Sequence, residues 1–256
     1  MPVQVRLRAL DCLRKFYFKE ETLVQEHDLA FQKIVDGLLP DTKDLKILEA
    51  GAGSLSYIHF PLKSYKIGID ISQEQLERNT LLNEKILGDI QTYDFPAEVF
   101  DVIVCWNVLE HLDQPIRALK NLARSLKKGG IMVLALPNVF SLKGLITKFT
   151  PHSFHVWYYR YLRGSKRAGQ RGYAPFPAFL KFSIAPASLR RLAEKEGFRI
   201  EYSCVYEREH QREIREKFPI INSLLNLVNT PLKWLCGNRW DGLLSDFILI
   251  LRKCPE

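Results

Sequence analysis

Long apolar runs and paired cysteines are both missing from this chain of 256 residues. No segment approaches the roughly 18 consecutive apolar residues that a membrane-spanning helix requires. The N-terminus is charged and has no sustained apolar run, so it does not resemble a secretory signal peptide. The five cysteines lie far apart without a C-x-x-C pair, which argues against a disulfide framework or a zinc site. These absences predict a cytoplasmic protein, either soluble or peripheral to a membrane.

Acidic residues are scarce in the second half of the chain. Residues 1–139 carry 17 Lys and Arg against 19 Asp and Glu, whereas residues 140–256 carry 20 against 10. The formal net charge of +8 therefore comes entirely from the second half. A solvated surface explains such a surplus, and attraction to an anionic substrate or membrane face is the functional alternative.

Short apolar segments alternate with helical patterns along most of the chain. Strands are predicted at 45–50, 65–70, 85–90, 100–106, 131–136, 198–207 and 246–253. Helices are predicted at 22–38, 54–60, 73–82, 114–127 and 186–197, with a further basic helix within 5–20. Asp113 is the expected cap of the helix at 114–127, and residues 127–130 are expected to close it. Strands that alternate with helices imply a parallel sheet with right-handed crossovers.

The alternation breaks at about 139–185 and again at 208–244. The first stretch is rich in aromatic and basic residues, proline and glycine, and shows no clear period. We expect one domain over residues 1–256, with an N-terminal helical extension at 1–44 and both insertions forming a lid or cover for the substrate.

The second insertion contains an amphipathic pattern, FPIINSLLNLVNTPLKWL. We expect its apolar face to pack inside as a cover and Pro231 to end the helix; a position in a membrane interface is the alternative. The face comprises Ile221, Leu224, Leu225 and Val228.

A glycine turn follows the first predicted strand, and an acid ends the second. Residues 45–54 read LKILEAGAGS, and Asp70 closes YKIGID nineteen residues after Gly51. Glycine lets the backbone approach a ligand closely, and an acid at about this distance accepts hydrogen bonds from two ribose hydroxyls. The pattern predicts an adenosine-bearing cofactor, whereas the glycines alone are also explained by a tight turn.

Six motifs in chain order resemble the class I S-adenosylmethionine-dependent methyltransferases, and within them the small-molecule branch that includes the ubiquinone O-methyltransferases. The motifs are LEAGAGS, GIDIS, GDIQTYDF, FDVIVCWNVLEHLDQP, LKKGGIMVLALPN and LRRLAEKEGF. They cover roughly residues 45–138 and 186–207. The resemblance implies an α/β fold with a seven-stranded, mostly parallel Rossmann-like sheet and helices on both faces. It also implies S-adenosylmethionine as cofactor and S-adenosylhomocysteine as product.

The resemblance further implies which residues touch the cofactor. Glu49, Gly51 and Gly53 match the loop that family members wrap around the methionine part. Asp70 matches the acid on the ribose hydroxyls, and Asp89 matches the acid near the adenine amino group. A helix cap is the structural alternative for Asp89.

The residues after the third and fourth strands are also implied in the site. Ile90 would pack on the adenine ring, and the backbone carbonyls of Trp106 and Asn107 would hold the cofactor ammonium. Leu55 departs from the pattern, because members commonly have a third glycine there. The implied cofactor-binding residues are Glu49, Gly51, Ala52, Gly53, Asp70, Ile71, Asp89, Ile90, Trp106 and Asn107, and no metal is expected.

Methyl transfer to a hydroxyl is helped by a base, and histidine is suited to that role near neutral pH. His111 follows Glu110 where the family often has an E-H pair; packing or capping at the start of the next helix is its structural alternative. His155 and Tyr158 lie in TPHSFHVWYYRY of the first insertion. These three residues are the catalytic candidates. The alternative for the two in the first insertion is a lid whose aromatic residues only pack over the cofactor.

The predicted function is transfer of a methyl group from S-adenosylmethionine to a small-molecule or lipid-linked acceptor, with a hydroxyl oxygen as acceptor atom. If the basic surplus of residues 140–256 serves to attract the acceptor, the acceptor is anionic. A nucleic-acid methyltransferase is a rival, but the chain has WNVL after the fourth strand instead of an N-P-P-Y type motif, and no RNA-binding module is recognisable. A catalytically silent cofactor-binding scaffold is the second rival, supported by Leu55 and the short helix after the loop.

Overall fold

A seven-stranded sheet forms the centre of the protein, in the order β3-β2-β1-β4-β5-β7-β6. The computed structural model describes residues 25–255 apart from 40–43, 62, 162–163 and 171, and only the backbone of residues 25–30. The predicted basic helix within 5–20 lies outside the described residues. The strands are β1 Lys46–Ala50, β2 Tyr65–Asp70, β3 Glu84–Leu87, β4 Phe100–Trp106, β5 Leu126–Pro137, β6 Phe198–Tyr206 and β7 Asp246–Lys253.

Most neighbouring strands run parallel, which confirms the predicted sheet. β1 pairs in parallel with β2 and β4, β2 with β3, and β4 with β5. Only β7 is antiparallel to its neighbours β5 and β6. The C-terminal ends of the other six strands therefore lie along one edge, which we call the carboxyl edge. Asp246 at the start of β7 reaches the same edge, opposite Pro137 and Tyr206.

Helices cover both faces of the sheet, as predicted. They are α1 Gln25–Leu38, α2 Gln73–Arg78, α3 Pro115–Ser125, α4 Leu142–Phe149, α5 His152–Tyr161, α6 Pro186–Lys195, α7 Glu209–Lys217 and α8 Pro219–Leu235. On one face the buried core joins Leu122 of α3 and Leu189 of α6 to the strands. On the other face Val35 of α1 packs against Ile47 and Val104. In the part of the chain that is described, no helix is both long and apolar enough to cross a membrane.

The helix predicted at 54–60 is wrong, because residues 51–61 form turns and extended chain. Polar groups of this segment bond to the strand ends instead of continuing a helix: the Gly53 amide donates to Asp70 and the Ser56 hydroxyl donates to Glu49. The helix predicted at 73–82 ends at Arg78, four residues early.

The boundary between α3 and β5 also differs from the prediction. Asp113 does not cap α3; the cap residue is Gln114, without a side-chain hydrogen bond, and the Asp113 carboxylate lies 2.8 Å from the Lys181 ammonium. Residues 127–130 belong to β5 rather than to the helix end. The Lys127 ammonium, 2.7 Å from the Asp101 carboxylate, ties this segment to β4.

Both insertions contain regular structure. The first, predicted without a clear period, contains α4 and α5, and the second contains α7 and α8. Pro231 does not end α8, which continues to Leu235. Proline removes one backbone donor from a helix, and Pro231 lies at an exposed position of α8.

Candidate active site

The glycine loop leaves β1 at the carboxyl edge and turns directly back onto β2. The amides of Gly51 and Ala52 both donate to the carbonyl of Ile69, at 2.8 and 3.0 Å. Gly51 has φ +73°, and a Cβ on it would lie 2.3 Å from a methyl carbon of Val108. The position therefore requires glycine for both its backbone conformation and its packing.

Asp70 ends β2 beside this loop and holds it in place. One carboxylate oxygen accepts the Gly53 amide and the other accepts the Ser72 amide, each at 2.9 Å. A carboxylate oxygen offers two lone pairs, so each oxygen retains one for a further donor. Asp70 thus combines a structural role in the loop with the capacity to accept two ligand hydroxyls.

Glu49 is the buried acid at the end of β1. The Ser56 hydroxyl donates to its Oε2 at 2.7 Å. Burial raises the pKa of Glu49, and the hydrogen bond from Ser56 and the charge of Lys66 offset part of that shift. A buried carboxyl is suited to receive a ligand ammonium group, because the added positive charge favours its ionised form.

Past the end of β3, two predicted residues have visible structural roles. Asp89 accepts the Gln91 amide at 2.8 Å and also the Gln91 side-chain amide, so it stabilises the turn. The Ile90 side chain is buried in the core on the α3 face, and its carbonyl accepts the side-chain amide of Asn121. By contrast Ile71, directly after Asp70, is exposed and open to a flat ligand ring.

The end of β4 is packed by aromatic rings and then turns sharply. Trp106 stacks on Tyr57 of the glycine loop, with ring centroids 5.1 Å apart, and contacts Phe31 of α1 edge-on. Asn107 has φ +54° and its amide donates to the carbonyl of Ala135 at 2.7 Å. Few non-glycine residues have a positive φ, and those that do are often found at functional sites.

Glu110 and His111 form a short turn behind β4. The His111 Nδ1 lies 2.6 Å from the carbonyl oxygen of Pro177, so Nδ1 carries the proton of the neutral ring and Nε2 is the acceptor. Nε2 lies 3.8 Å from the Glu110 carboxylate. Burial raises the pKa of Glu110, while His111 and Arg208 pull it down. The pair thus provides a ring nitrogen of defined orientation beside a buried acid.

The structure gives the other two catalytic candidates a different setting, on α5 of the first insertion. The His155 Nε2 lies 2.7 Å from the Thr150 hydroxyl, and burial together with the charge of His152 lowers the pKa of His155. Tyr158 contacts Tyr159 ring to ring. No hydrogen bond or ring contact among the described residues joins His155 to the glycine loop, and whether either residue reaches a ligand stays a prediction.

Sequence reasoning missed a charged cluster at the same edge. Arg208, after β6, lies 2.6 Å from the carboxylate of Asp246 and also donates to Asn107 Oδ1 at 3.3 Å. The Lys143 ammonium of α4 is 3.6 Å from the same carboxylate. Burial lowers the pKa of Lys143, and the charge of Asp246 offsets part of that shift. The only sequence signal was an acid at the start of an otherwise apolar strand, DFILIL.

These residues fit a ligand with a nucleoside and an amino-acid part. The chain places an acid with two available lone pairs, a buried acid suited to an ammonium group and an exposed aliphatic side chain along one edge. The residues concerned are Asp70, Glu49 and Ile71. The charged cluster adds two cations on the far side of β4, which suits a second ligand with an anionic or polarised oxygen.

The sequence of this chain is similar to those of known methyltransferases. Residues 25–203 match the family described as methyltransferase domain. The ubiquinone biosynthesis O-methyltransferase of Coxiella burnetii is 27% identical over 132 residues, 52% of this chain and 50% of that protein. The phosphatidylethanolamine N-methyltransferase of Cereibacter sphaeroides is 32% identical over 104 residues, 35% of this chain and 49% of that protein. The chain spans about half the length of the curated relatives it matches.

A solved structure shares the whole fold. The S-adenosylmethionine-dependent methyltransferase from Archaeoglobus fulgidus aligns with a TM-score of 0.53 over 93% of this chain and 99% of that one. The sequence identity is 17%. At that identity the likeness establishes the arrangement of strands and helices, and the chemistry has to be argued from the site.

Proposed function

This chain belongs to the family of methyltransferase domains, and we propose that it transfers a methyl group from S-adenosylmethionine to a hydroxyl oxygen of a small-molecule or lipid-linked acceptor. It is an enzyme of the S-adenosylmethionine-dependent class. The observation that carries the proposal is Asp70, which holds the glycine loop through two backbone amides and keeps a lone pair on each oxygen. A ribose with two adjacent hydroxyls is complementary to that arrangement.

We assign the remaining cofactor contacts from the neighbouring strand ends. Glu49 and the carbonyls of Trp106 and Asn107 receive the ammonium group, since a positive charge beside the buried Glu49 carboxyl favours its ionised form. The exposed side chain of Ile71 covers the adenine ring. Asp89 would serve the adenine amino group in addition to its turn.

When bound, S-adenosylmethionine supplies a methyl group on a positively charged sulfur, which is a good leaving group. The protein aligns the acceptor and excludes water, so it has little covalent chemistry to perform. The acceptor hydroxyl loses its proton as its oxygen bonds to the methyl carbon. His111 Nε2 is the proposed proton acceptor, because the bond of Nδ1 to Pro177 leaves Nε2 with the lone pair. His155 and Tyr158 are the alternative groups for this step.

The acceptor is proposed to carry an anionic or strongly polar group. Arg208 and Lys143 share the single carboxylate of Asp246, at 2.6 and 3.6 Å. Two basic side chains on one carboxylate support an acceptor with an anionic or polar group. The two insertions, which contain α4 and α5 and α7 and α8 respectively, form the proposed cover over this acceptor.

A methyl-transfer assay with labelled S-adenosylmethionine tests the proposal on panels of phenolic, sugar and lipid-linked hydroxyls, with primary amines as the contrasting panel. Labelled product from a hydroxyl panel supports an O-methyltransferase, and product only from amines contradicts it. His111→Gln is expected to lower the rate about a hundredfold. The matched variant is His59→Gln, since the exposed His59 lies outside the proposed machinery. Equal rates for the two variants would remove His111 from the mechanism.

A further inference from the structure

Helix α8 presents its apolar face to solvent and its polar face to the protein. Five large side chains on this helix are between 60 and 77% exposed: Ile220, Leu224, Leu227, Trp234 and Leu235. They recur with helical spacing along a segment about 25 Å long at 1.5 Å per residue. This reverses the orientation expected from the sequence, in which the apolar face packs inside.

Polar contacts hold α8 in this orientation. The Asn229 side chain donates to Asp241 at 3.0 Å and accepts the Gly242 amide at 2.7 Å. The Lys233 ammonium lies 2.7 Å from Asp241, and Asn222 accepts from Arg215 at 2.7 Å. Asn222, Asn226, Asn229 and Lys233 are spaced four, three and four residues apart, so they form one continuous inward face. The outward apolar face is therefore the result of specific bonds.

The sequences of α8 and of the first insertion are basic, whereas α7, which packs on α8, has three acids and three bases. Residues 217–240 contain three Lys and Arg and no Asp or Glu, and residues 140–181 contain eight and none. The two segments meet at one anchor, because the Leu142 amide of α4 donates to the carbonyl of Gly242, whose amide is bound by Asn229. Exposed Phe149 and Trp157 lie in the second of these segments. Aromatic and aliphatic side chains among lysines and arginines are the composition of interfacial membrane segments.

We propose that α8 docks this protein onto a lipid bilayer that contains anionic headgroups. The apolar side chains enter the boundary between headgroups and acyl chains, while Lys217 and Arg239 at either end face the headgroups. A second copy of the chain fits less well, since two equally basic surfaces would repel each other. Both insertions leave the sheet at the carboxyl edge. The inference goes beyond the proposed function and does not rest on it.

Vesicle sedimentation of the full chain tests the proposal without methyl donor. Vesicles of phosphatidylcholine and phosphatidylglycerol are compared with vesicles of phosphatidylcholine alone. We expect clear binding to the anionic vesicles, weaker binding to the neutral ones and a further decrease with salt. Leu224→Ser with Leu227→Ser is expected to weaken partition by about tenfold or more. Leu81→Ser with Leu87→Ser, also exposed leucines but outside α8, is the matched control.

Circular dichroism and thermal unfolding check that each variant is folded, so this test does not depend on that of the proposed function. The proposal is overturned if the wild type does not bind anionic vesicles. It is also overturned if the Leu224→Ser, Leu227→Ser variant binds them as well as the Leu81→Ser, Leu87→Ser variant does. It is also overturned if the wild type forms a dimer that Leu224→Ser with Leu227→Ser dissociates, while vesicles bind neither form. Lys217→Gln with Arg239→Gln is expected to reduce the preference for anionic over neutral vesicles.

Discussion

At the scale of single residues, Gly51 has no room for a side chain, because Val108 occupies the space that a Cβ would take. Gly51→Ala is expected to lower the free energy of unfolding by about 3 kcal/mol, because the Cβ clashes with Val108 as well as straining a positive φ. Gly129→Ala is the matched control, since Gly129 has φ +77° with nothing within 4 Å of the added carbon. Its expected cost is about 1 kcal/mol.

Chemical denaturation of both variants measures the difference. The double variant Gly51→Ala with Val108→Ala should recover part of the loss by removing the clash but not the backbone strain. Equal destabilisation by the two single substitutions would show that Val108 does not limit the loop.

Glu49 predicts a pH dependence of cofactor binding. Burial raises the pKa of this carboxyl above its ordinary 4.5, so the empty site holds its proton to higher pH than a free carboxyl does. A bound ammonium favours the carboxylate, and binding therefore releases a proton. Affinity for S-adenosylhomocysteine should therefore rise as the pH increases above about 4.5. Glu49→Gln should make the affinity less dependent on pH. Calorimetry in two buffers of different ionisation enthalpy measures the released proton, and a wild type that releases none contradicts the assignment.

The raised pKa of Glu49 also makes the free energy of unfolding depend on pH. Because the folded protein binds the Glu49 proton more tightly than the unfolded chain does, protonation at low pH stabilises the fold. Its contribution to the free energy of unfolding is lost as pH rises above about 4.5.

Single residues of the cofactor loop were accessible to sequence reasoning because they lie close together in the chain. The glycines follow β1 and Asp70 ends β2, so the strand pattern, the residue types and the spacing predicted that they lie close together, and the Gly53 amide donates to Asp70. Arg208, Lys143 and Asp246 come from three distant segments, and only the folded sheet brings them together. No local pattern marks a contact of that kind.

At the scale of elements, the attachment of α8 depends on Asn229. Asn229→Ala removes two hydrogen bonds and leaves the buried amide of Gly242 without its acceptor, which should cost about 1–3 kcal/mol. Hydrogen exchange should show faster opening of α8 than in the wild type. Asn226→Ala, which removes one bond to Asn222 on the same helix, should cost about 0.5 kcal/mol or less. Similar exchange in the two variants would refute the anchoring role.

Elements with a strong apolar period were predictable, and those shaped by side-chain contacts were not. All seven strands were expected within a few residues of where they lie, because their alternation with helices is regular. The loop at 51–61 was mistaken for a helix, since its structure depends on bonds to Glu49 and Asp70. The helical period of α8 was correct, but its orientation follows from partners outside the helix, chiefly Arg215 and Asp241.

At the scale of the whole molecule, the strand order brings the proposed ligand-facing groups to one edge of the sheet. The predicted resemblance to methyltransferases is confirmed by the match over residues 25–203. The loop after β1 and the acid after β2 lie on one side of β4, and the charged cluster lies on the other. This division separates the proposed cofactor half from the proposed acceptor half, so cofactor binding can be tested without knowledge of the acceptor.

The most direct test is calorimetric titration with S-adenosylhomocysteine of the wild type, Asp70→Ala and Asp94→Ala. Asp94 is an exposed carboxylate paired with Arg124, which makes it a control for loss of an acid alone. The account predicts that the wild type and Asp94→Ala bind alike, while Asp70→Ala binds about a hundredfold more weakly through loss of charge-assisted hydrogen bonds. Wild-type protein that fails to bind, or Asp70→Ala that binds as tightly as the wild type, would contradict it.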